Sequence, residues 1–81
     1  MTMERQEVAE KLAGFLRKAL AKKDVEIKPD KPLSDLGLNS SGRLELFTMI
    51  EDEYDLMLDE DEQDAVKCLN DAIELVMKKV A

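Results

Sequence analysis

The chain of 81 residues contains no histidine and no tryptophan, and it has one cysteine, one tyrosine and two phenylalanines. Without histidine, neither a Ser-His-Asp nor a Cys-His arrangement can be assembled, so no evident base is present to activate a serine for hydrolysis. The single cysteine, Cys68, excludes an intramolecular disulfide and a zinc site built on several cysteines, and we expect it to be a small buried residue. Catalysis by an activated nucleophile is therefore not expected.

Long apolar runs are also missing. No stretch approaches the ~20 apolar residues of a membrane span, and the N-terminus lacks the apolar core of a signal peptide. The expected location is a reducing cytoplasm. A length of 81 residues predicts one domain over residues 1–81, and Met1 with short tails favours a stand-alone protein that we expect to be monomeric.

Charge is abundant and unevenly placed. The net charge is -7, and residues 43–64 carry one basic and ten acidic side chains. Such a block repels nucleic acid and attracts partners with basic patches, although it could also be a solvated face that only keeps the protein soluble.

The stretch "DEDEQDAVKCLN" fails as a calcium loop, because Asp64 stands where glycine is needed and Asn70 where the bidentate glutamate is needed. No specific metal site is expected.

The apolar spacing predicts an all-α domain of three long helices and one short helix. Helix I is expected at about residues 3–21, helix II at about 40–54 behind the N-cap Asn39, a short helix near 60–67 with Ala65 and Val66 facing inward, and a last helix capped by Asn70. Gly14 weakens helix I by about 1 kcal/mol relative to alanine, which a close helix contact would explain. The predicted core consists of Val8, Leu12, Phe15, Leu44, Phe47, Ile50, Val66, Leu69, Ile73 and Val76.

A long loop separates the first two helices. Pro29 and Pro32 disfavour a continuous helix there, and Gly37 suits a turn with positive φ. The loop is too apolar for a free linker, so we expect five side chains to anchor it on the helices: Val25, Ile27, Leu33, Leu36 and Leu38.

The segment "LGLNSSGRLEL", residues 36–46, resembles the signature of acyl carrier proteins, an Asp-Ser-Leu at the start of helix II, preceded by Leu-Gly-x and followed by Glu-Leu. The similarity continues in register through "MIEDEYDLMLDEDEQDAVKCLNDAIELV" and covers roughly residues 25–77. The resemblance implies a four-helix acyl-carrier-like bundle that is not an enzyme. It also implies that Ser40 carries a covalent 4'-phosphopantetheine arm, whose thiol holds acyl groups as thioesters, between the flanking residues Asn39 and Ser41.

The same resemblance implies partners and further site residues. A phosphopantetheinyl transferase would attach the arm, and acyl-transferring or condensing enzymes with basic surfaces would dock on helix II through Arg43, Glu45, Glu51, Asp52 and Glu53. The side chains expected to line an acyl-chain site, or alternatively to form ordinary core, are Leu46, Phe47, Ile50, Val66, Leu69 and Ile73.

Three residues depart from the family pattern. Asn39 replaces the usual aspartate, Ser41 replaces the usual leucine, and Gly42 loosens the first turn. The prediction is therefore a carrier of acyl intermediates in fatty-acid-like or specialised polyketide or aminoacyl synthesis. The alternative is a helical protein-interaction module of the same fold without a prosthetic group.

Overall fold

The computed structural model describes residues 4–21 and 26–80. It confirms the predicted all-α class and the four-helix arrangement. The helices are α1 (Arg5–Leu20), α2 (Ser40–Tyr54), α3 (Glu60–Ala65) and α4 (Leu69–Val80), and a 3-10 helix (Leu33–Leu36) lies within the long loop.

Helix α1 packs against both α2 and α4. Its residues Val8, Leu12 and Leu16 follow helical spacing and are completely buried. The helix ends at Ala21, which adopts a left-handed conformation and donates its N–H to the carbonyls of Arg17 and Lys18. An added Cβ at Gly14 meets nothing within 4 Å among the described residues, so a close helix contact does not explain this glycine.

The core lies where the three long helices meet, and most of the predicted core is confirmed. Phe15 is only partly buried, and Leu44 is 63% exposed, so the prediction for Leu44 was wrong. At about 100° per residue, Leu44 lies some 200° around the helix from Leu46, and it cannot share the buried face to which Leu46 belongs. The buried apolar residues are Val8, Leu12, Leu16, Leu33, Leu38, Leu46, Phe47, Ile50, Leu58, Val66, Leu69, Ala72, Ile73 and Val76.

The long loop is anchored as predicted wherever the structure describes it. Leu33 and Leu38 are buried, and Ile27 and Leu36 pack on the core, whereas Val25 lies outside the described residues. Gly37 closes the 3-10 helix with a φ of 90°, a conformation that glycine adopts without steric penalty.

Backbone pairing joins this loop to the segment between α3 and α4. Pro32 and Cys68 form an isolated antiparallel bridge. The N–H of Leu33 donates to the Lys67 carbonyl at 2.9 Å, and the N–H of Asn70 donates to the Pro29 carbonyl at 2.9 Å. The loop is thereby attached to this segment at two points, Pro29 and Leu33.

Helix α3 ends two residues earlier than predicted. It begins with a capping box between Asp59 and Glu62 and ends at Ala65, because the next residues extend to pair with the long loop. Val66 is buried as expected, but Ala65 is exposed, which contradicts its predicted inward position. Helix α3 itself contains no buried residue.

Helix α4 begins at Leu69, so the prediction that Asn70 is its N-cap was wrong. Asn70 lies inside the first turn, and its side-chain oxygen accepts a hydrogen bond from Arg5 at 3.4 Å. Near this end of the helix the Asp71 carboxylate accepts from the N–H of Lys67 at 3.0 Å.

None of the helices described is both long enough and apolar enough to cross a membrane. Within residues 4–21 and 26–80, no group of three or more cysteine, aspartate or glutamate side chains is placed to hold a metal ion.

Candidate functional site

The site predicted around Ser40 is built on the first turn of α2. Asn39 precedes the helix in an extended conformation, and its side-chain oxygen accepts a hydrogen bond from the N–H of Gly42 at 2.8 Å, which confirms Asn39 as the N-cap. Ser40 is the first helical residue, and both Ser40 and Ser41 are exposed.

Gly42 is buried in this turn, and its role differs from the one expected. A Cβ built on Gly42 would lie 2.6 Å from Cδ1 of Leu38 and 3.3 Å from the side-chain oxygen of Asn39. Glycine therefore allows the long loop to pack closely against α2, whereas the sequence pattern suggested only a loosened turn. A glycine within a helical pattern is often a packing position, and that was the available signal.

Arg43 connects α2 to α3. Its Nη2 donates to the carbonyl oxygen of Gln63 at 2.7 Å, and its guanidinium lies over the ring of Phe47, 5.3 Å from the centroid. The side chain is half-buried rather than free on the surface. Sequence reasoning did not identify Gln63, whose acceptor is a backbone carbonyl and therefore leaves no mark in the residue pattern.

A depression of about 150 Å³ separates the first turn of α2 from the end of α3. Ser40 and Arg43 form one side, and Gln63 and Asp64 belong to α3 on the other. Its apolar contribution comes from Leu44 and Phe47. Ser40 thus borders a small concavity with a cation, a carboxylate and an aromatic ring, while Ser41 does not line it.

The predicted acyl-chain residues lie together beneath α2 in the closed core. They come from α2, from the segment after α3 and from α4, and each is at most 2% exposed: Leu46, Phe47, Ile50, Val66, Leu69 and Ile73. An acyl chain could enter this region only if these side chains moved apart.

The acidic residues of α2 fall into two groups. Glu45 and Asp52 are exposed, and they take part in none of the ion pairs or hydrogen bonds found among the described residues. In contrast, the Glu51 carboxylate accepts from the N–H of Leu58 at 2.9 Å and so holds the loop after α2, and Glu53 forms a 2.9 Å ion pair with Lys11.

The pKa values of two groups near Glu53, Lys11 and Tyr54, are raised. The hydrogen bond to Glu53, followed by charge attraction to it, raises the pKa of Lys11. Burial raises the pKa of Tyr54, whose hydroxyl oxygen is buried without a hydrogen-bond partner in the part of the chain that is described. The C-terminal end of α2 therefore contacts α1, and Glu53 at this end is already engaged in an ion pair within the molecule.

Polar contacts join helix α3 to α2, to α4 and to the loop that precedes it. Glu62 pairs with Lys79 at 2.8 Å, and that hydrogen bond, with a further one from the backbone of Asp59, lowers the pKa of Glu62. The Gln63 side chain donates to the Leu58 carbonyl at 2.9 Å. With Arg43, these contacts set the position of α3 relative to Ser40.

Comparison with known proteins agrees with this geometry. Residues 10–76 match the family model described as "Phosphopantetheine attachment site". The chain is 35% identical over 74 residues to the acyl carrier protein of Desulforapulum autotrophicum, and the alignment covers 89% of this chain and 86% of that protein. Such proteins are carriers rather than enzymes and bear covalent 4'-phosphopantetheine. The chain belongs to the acyl carrier protein family.

Proposed function

We propose that Ser40 is the attachment point of 4'-phosphopantetheine and that the chain carries acyl intermediates in fatty-acid-like or specialised polyketide or aminoacyl synthesis. The observation that carries this proposal is the position of Ser40, which is exposed as the first residue of α2 immediately after its cap. The thiol of the bound group supplies the thioester linkage to the cargo.

The residues around Ser40 fit this group. The hydroxyl is exposed beside a depression of about 150 Å³, and Arg43 borders the same depression. A helix N-terminus presents free amides and the positive end of the helix dipole, which favour a phosphodiester. Since the chain has no histidine to act as a base, the activation of Ser40 belongs to a phosphopantetheinyl transferase.

Ser41 is the competing attachment point, because it is also exposed. Two points favour Ser40. Ser40 aligns with the modified serine of the family signature, and only Ser40 of the pair borders the depression. Ser41 occupies the position where the family has an apolar residue, so we assign it no role in attachment.

Modification by a permissive transferase tests the assignment. The wild type, Ser40→Ala and Ser41→Ala are co-expressed with the transferase, and intact masses and peptide maps are recorded. Wild type and Ser41→Ala should gain the group, and Ser40→Ala should not. Modification that persists in Ser40→Ala and disappears in Ser41→Ala would overturn the assignment. Absence of modification with several transferases would favour the alternative, an interaction module that bears no prosthetic group.

For the docking surface we propose the exposed face of α2 around Leu44, Glu45 and Asp52. Leu44 is 63% exposed and adds an apolar contact to two acidic groups that have no internal partner among the described residues. The other predicted docking residues, Arg43, Glu51 and Glu53, hold internal contacts that docking would have to share or break. Basic enzyme surfaces complement this face, and their association should weaken with salt.

Charge-neutralising variants test this surface against net charge alone. Glu45→Gln with Asp52→Asn should slow association with an enzyme of the chain's own pathway and reduce the salt dependence of the rate. The control pair, Glu26→Gln with Glu74→Gln, removes the same charge from exposed positions outside α2. If both pairs of substitutions change the association rate equally, the acidic face acts only through the net charge of the chain and is not a specific docking surface.

We also propose that the buried residues beneath α2, namely Leu46, Phe47, Ile50, Val66, Leu69 and Ile73, shelter the acyl chain. Support comes from their near-complete burial in one core cluster, which includes Val66 immediately after α3, and from α3 itself, which buries no residue of its own. An acylated form should show its largest amide chemical-shift changes at these six positions. Changes confined to the surface around Ser40 would contradict the proposal.

A further inference from the structure

Arg43 is fixed beside Ser40 by contacts within the molecule. The hydrogen bond from its Nη2 to the Gln63 carbonyl and the cation–π contact of its guanidinium with the Phe47 ring restrain the side chain from two directions. Such restraint lowers the entropy lost when the same group binds a further ligand. The position of this cation is therefore set before any ligand arrives.

The guanidinium also retains unused donors. A guanidinium has five N–H groups, and the hydrogen bond to the Gln63 carbonyl uses one of those on Nη2. Residues three apart on a helix are neighbours, and both Ser40 and Arg43 border the depression between α2 and α3. The acidic group on the opposite side is Asp64, which is exposed to solvent.

We propose that Arg43 is a positioning residue that binds the phosphodiester oxygens of the arm. This inference rests on the proposed attachment to Ser40. Guanidinium groups form charge-assisted, often bidentate hydrogen bonds with phosphate oxygens. The contact directs the start of the arm along the depression toward α3, and repulsion by Asp64 keeps the phosphodiester on the Arg43 side.

The resemblance to acyl carrier proteins assigns Arg43 to partner docking instead, and the two roles require different positions of its side chain. A docking cation must project from the surface, whereas the Arg43 side chain is half-buried and turned toward α3. Its surroundings on α2 are acidic, and an acidic face selects basic partners, to which Arg43 would be a repulsive group. Binding an anion within the chain itself resolves this conflict.

The phosphorus resonance of the purified holo-protein provides the test. Intact mass first establishes that each variant carries the arm, so a failure of attachment is recognised before the contact is tested. The ³¹P chemical shift and relaxation are then measured at low and high salt for the wild type, Arg43→Gln, Arg43→Lys and two controls. Lys18→Gln removes the same charge from an exposed position in α1, and Glu62→Gln breaks the ion pair to Lys79 without altering Arg43.

The proposal predicts a shifted, salt-dependent and more strongly relaxing ³¹P resonance in the wild type. Arg43→Gln should lose all three properties, Arg43→Lys should lie between, and both controls should match the wild type. The side-chain ¹⁵Nε resonance of Arg43 should also move between apo and holo forms. Identical ³¹P behaviour in wild type and Arg43→Gln would overturn the proposal. An equal change in Glu62→Gln would also do so, because it would show that the effect arises from displacement of α3.

Discussion

Replacing Gly42 with alanine tests how tightly the long loop packs on α2. The new Cβ would lie 2.6 Å from Cδ1 and 3.3 Å from Cγ of Leu38, and 3.3 Å from the side-chain oxygen of Asn39 that caps the helix. Leu38 is only 6% exposed, so its side chain cannot swing freely into solvent. The loop, the leucine or the cap must therefore move.

The expected magnitude follows from two opposing effects. Alanine favours a helix interior over glycine by about 1 kcal/mol, and overpacking of a core costs about 1–3 kcal/mol. Gly42→Ala should therefore lower the free energy of unfolding by about 1 kcal/mol, which is the balance of these effects. Gly14→Ala adds its Cβ to open space and should raise that free energy by about 0.5–1 kcal/mol.

Urea unfolding of the unmodified protein, followed by circular dichroism, measures both variants under the same conditions. The two free energies should differ by about 2 kcal/mol with unchanged m-values, and each kcal/mol corresponds to about 4–8 °C in Tm for a domain of this size. In a Leu38→Val background, which shortens the opposing side chain, Gly42→Ala should lose its penalty. Equal stabilisation by Gly42→Ala and Gly14→Ala would refute the packing role of this glycine.

Three further predictions concern the cap, the core and α3. Asn39→Ala should lower the free energy of unfolding by about 1 kcal/mol in urea titrations, because the N–H of Gly42 loses its acceptor, whereas Asn39→Asp should preserve it. Phe47→Ala should cost about 3–5 kcal/mol in the same assay, and exposed Leu44→Ala should change stability by less than about 0.5 kcal/mol. The pKa of Glu62 is lowered in the folded protein, so its ionised carboxylate stabilises the fold at any pH above the ordinary glutamate pKa of about 4.3. This contribution is lost as the pH falls through the lower pKa of the folded protein. The stability difference between wild type and Glu62→Gln, followed by thermal unfolding from pH 7 downward, should therefore shrink in acid.

Each of these measurements has a contrary outcome. Equal stability of Asn39→Ala and wild type would show that the Asn39 cap does not stabilise α2. A large loss in Leu44→Ala would place that side chain inside the core after all. A difference between wild type and Glu62→Gln that stays constant down to acid pH would mean that the Lys79 ion pair contributes nothing to the fold.

Helix α2 was predicted with its observed bounds because several local signals agree. Asn39 marks its start, and apolar side chains recur at helical spacing up to Tyr54. The error at Leu44 has a specific cause. Apolar residues occur on more than one side of this helix, so the pattern predicts a helix but does not fix which side faces α1 and the core.

The predictions for α3 and α4 were less accurate, because tertiary pairing determines where those helices end and begin. The backbone of Lys67 bonds to Leu33 in the long loop, which ends the preceding helix at Ala65, and the N–H of Asn70 bonds to Pro29. Pairings between segments so far apart in sequence leave no local signal. A cap preference such as that of asparagine is easily overridden in this situation.

The sequence allows predictions about the candidate site where chemistry depends on residue type. The position of Ser40 and the acidity of α2 can be read directly from the sequence. The division of the acids into free residues and internally bonded residues could not be read, because it depends on where Lys11 and the N–H of Leu58 are placed in space. The same holds for Arg43, whose acceptor is a backbone carbonyl.

The pairing between the long loop and the segment before α4 has a consequence for how the molecule opens. The amides of Leu33 and Asn70 are bonded to carbonyls on the other half of the chain, at Lys67 and Pro29. Each bond joins parts of the chain that are distant in sequence, so it is lost when these two segments separate. We expect these two amides to exchange with deuterium slowly and at the same rate, in an opening that separates the loop from the start of α4, and such a result would place both segments in one folding unit.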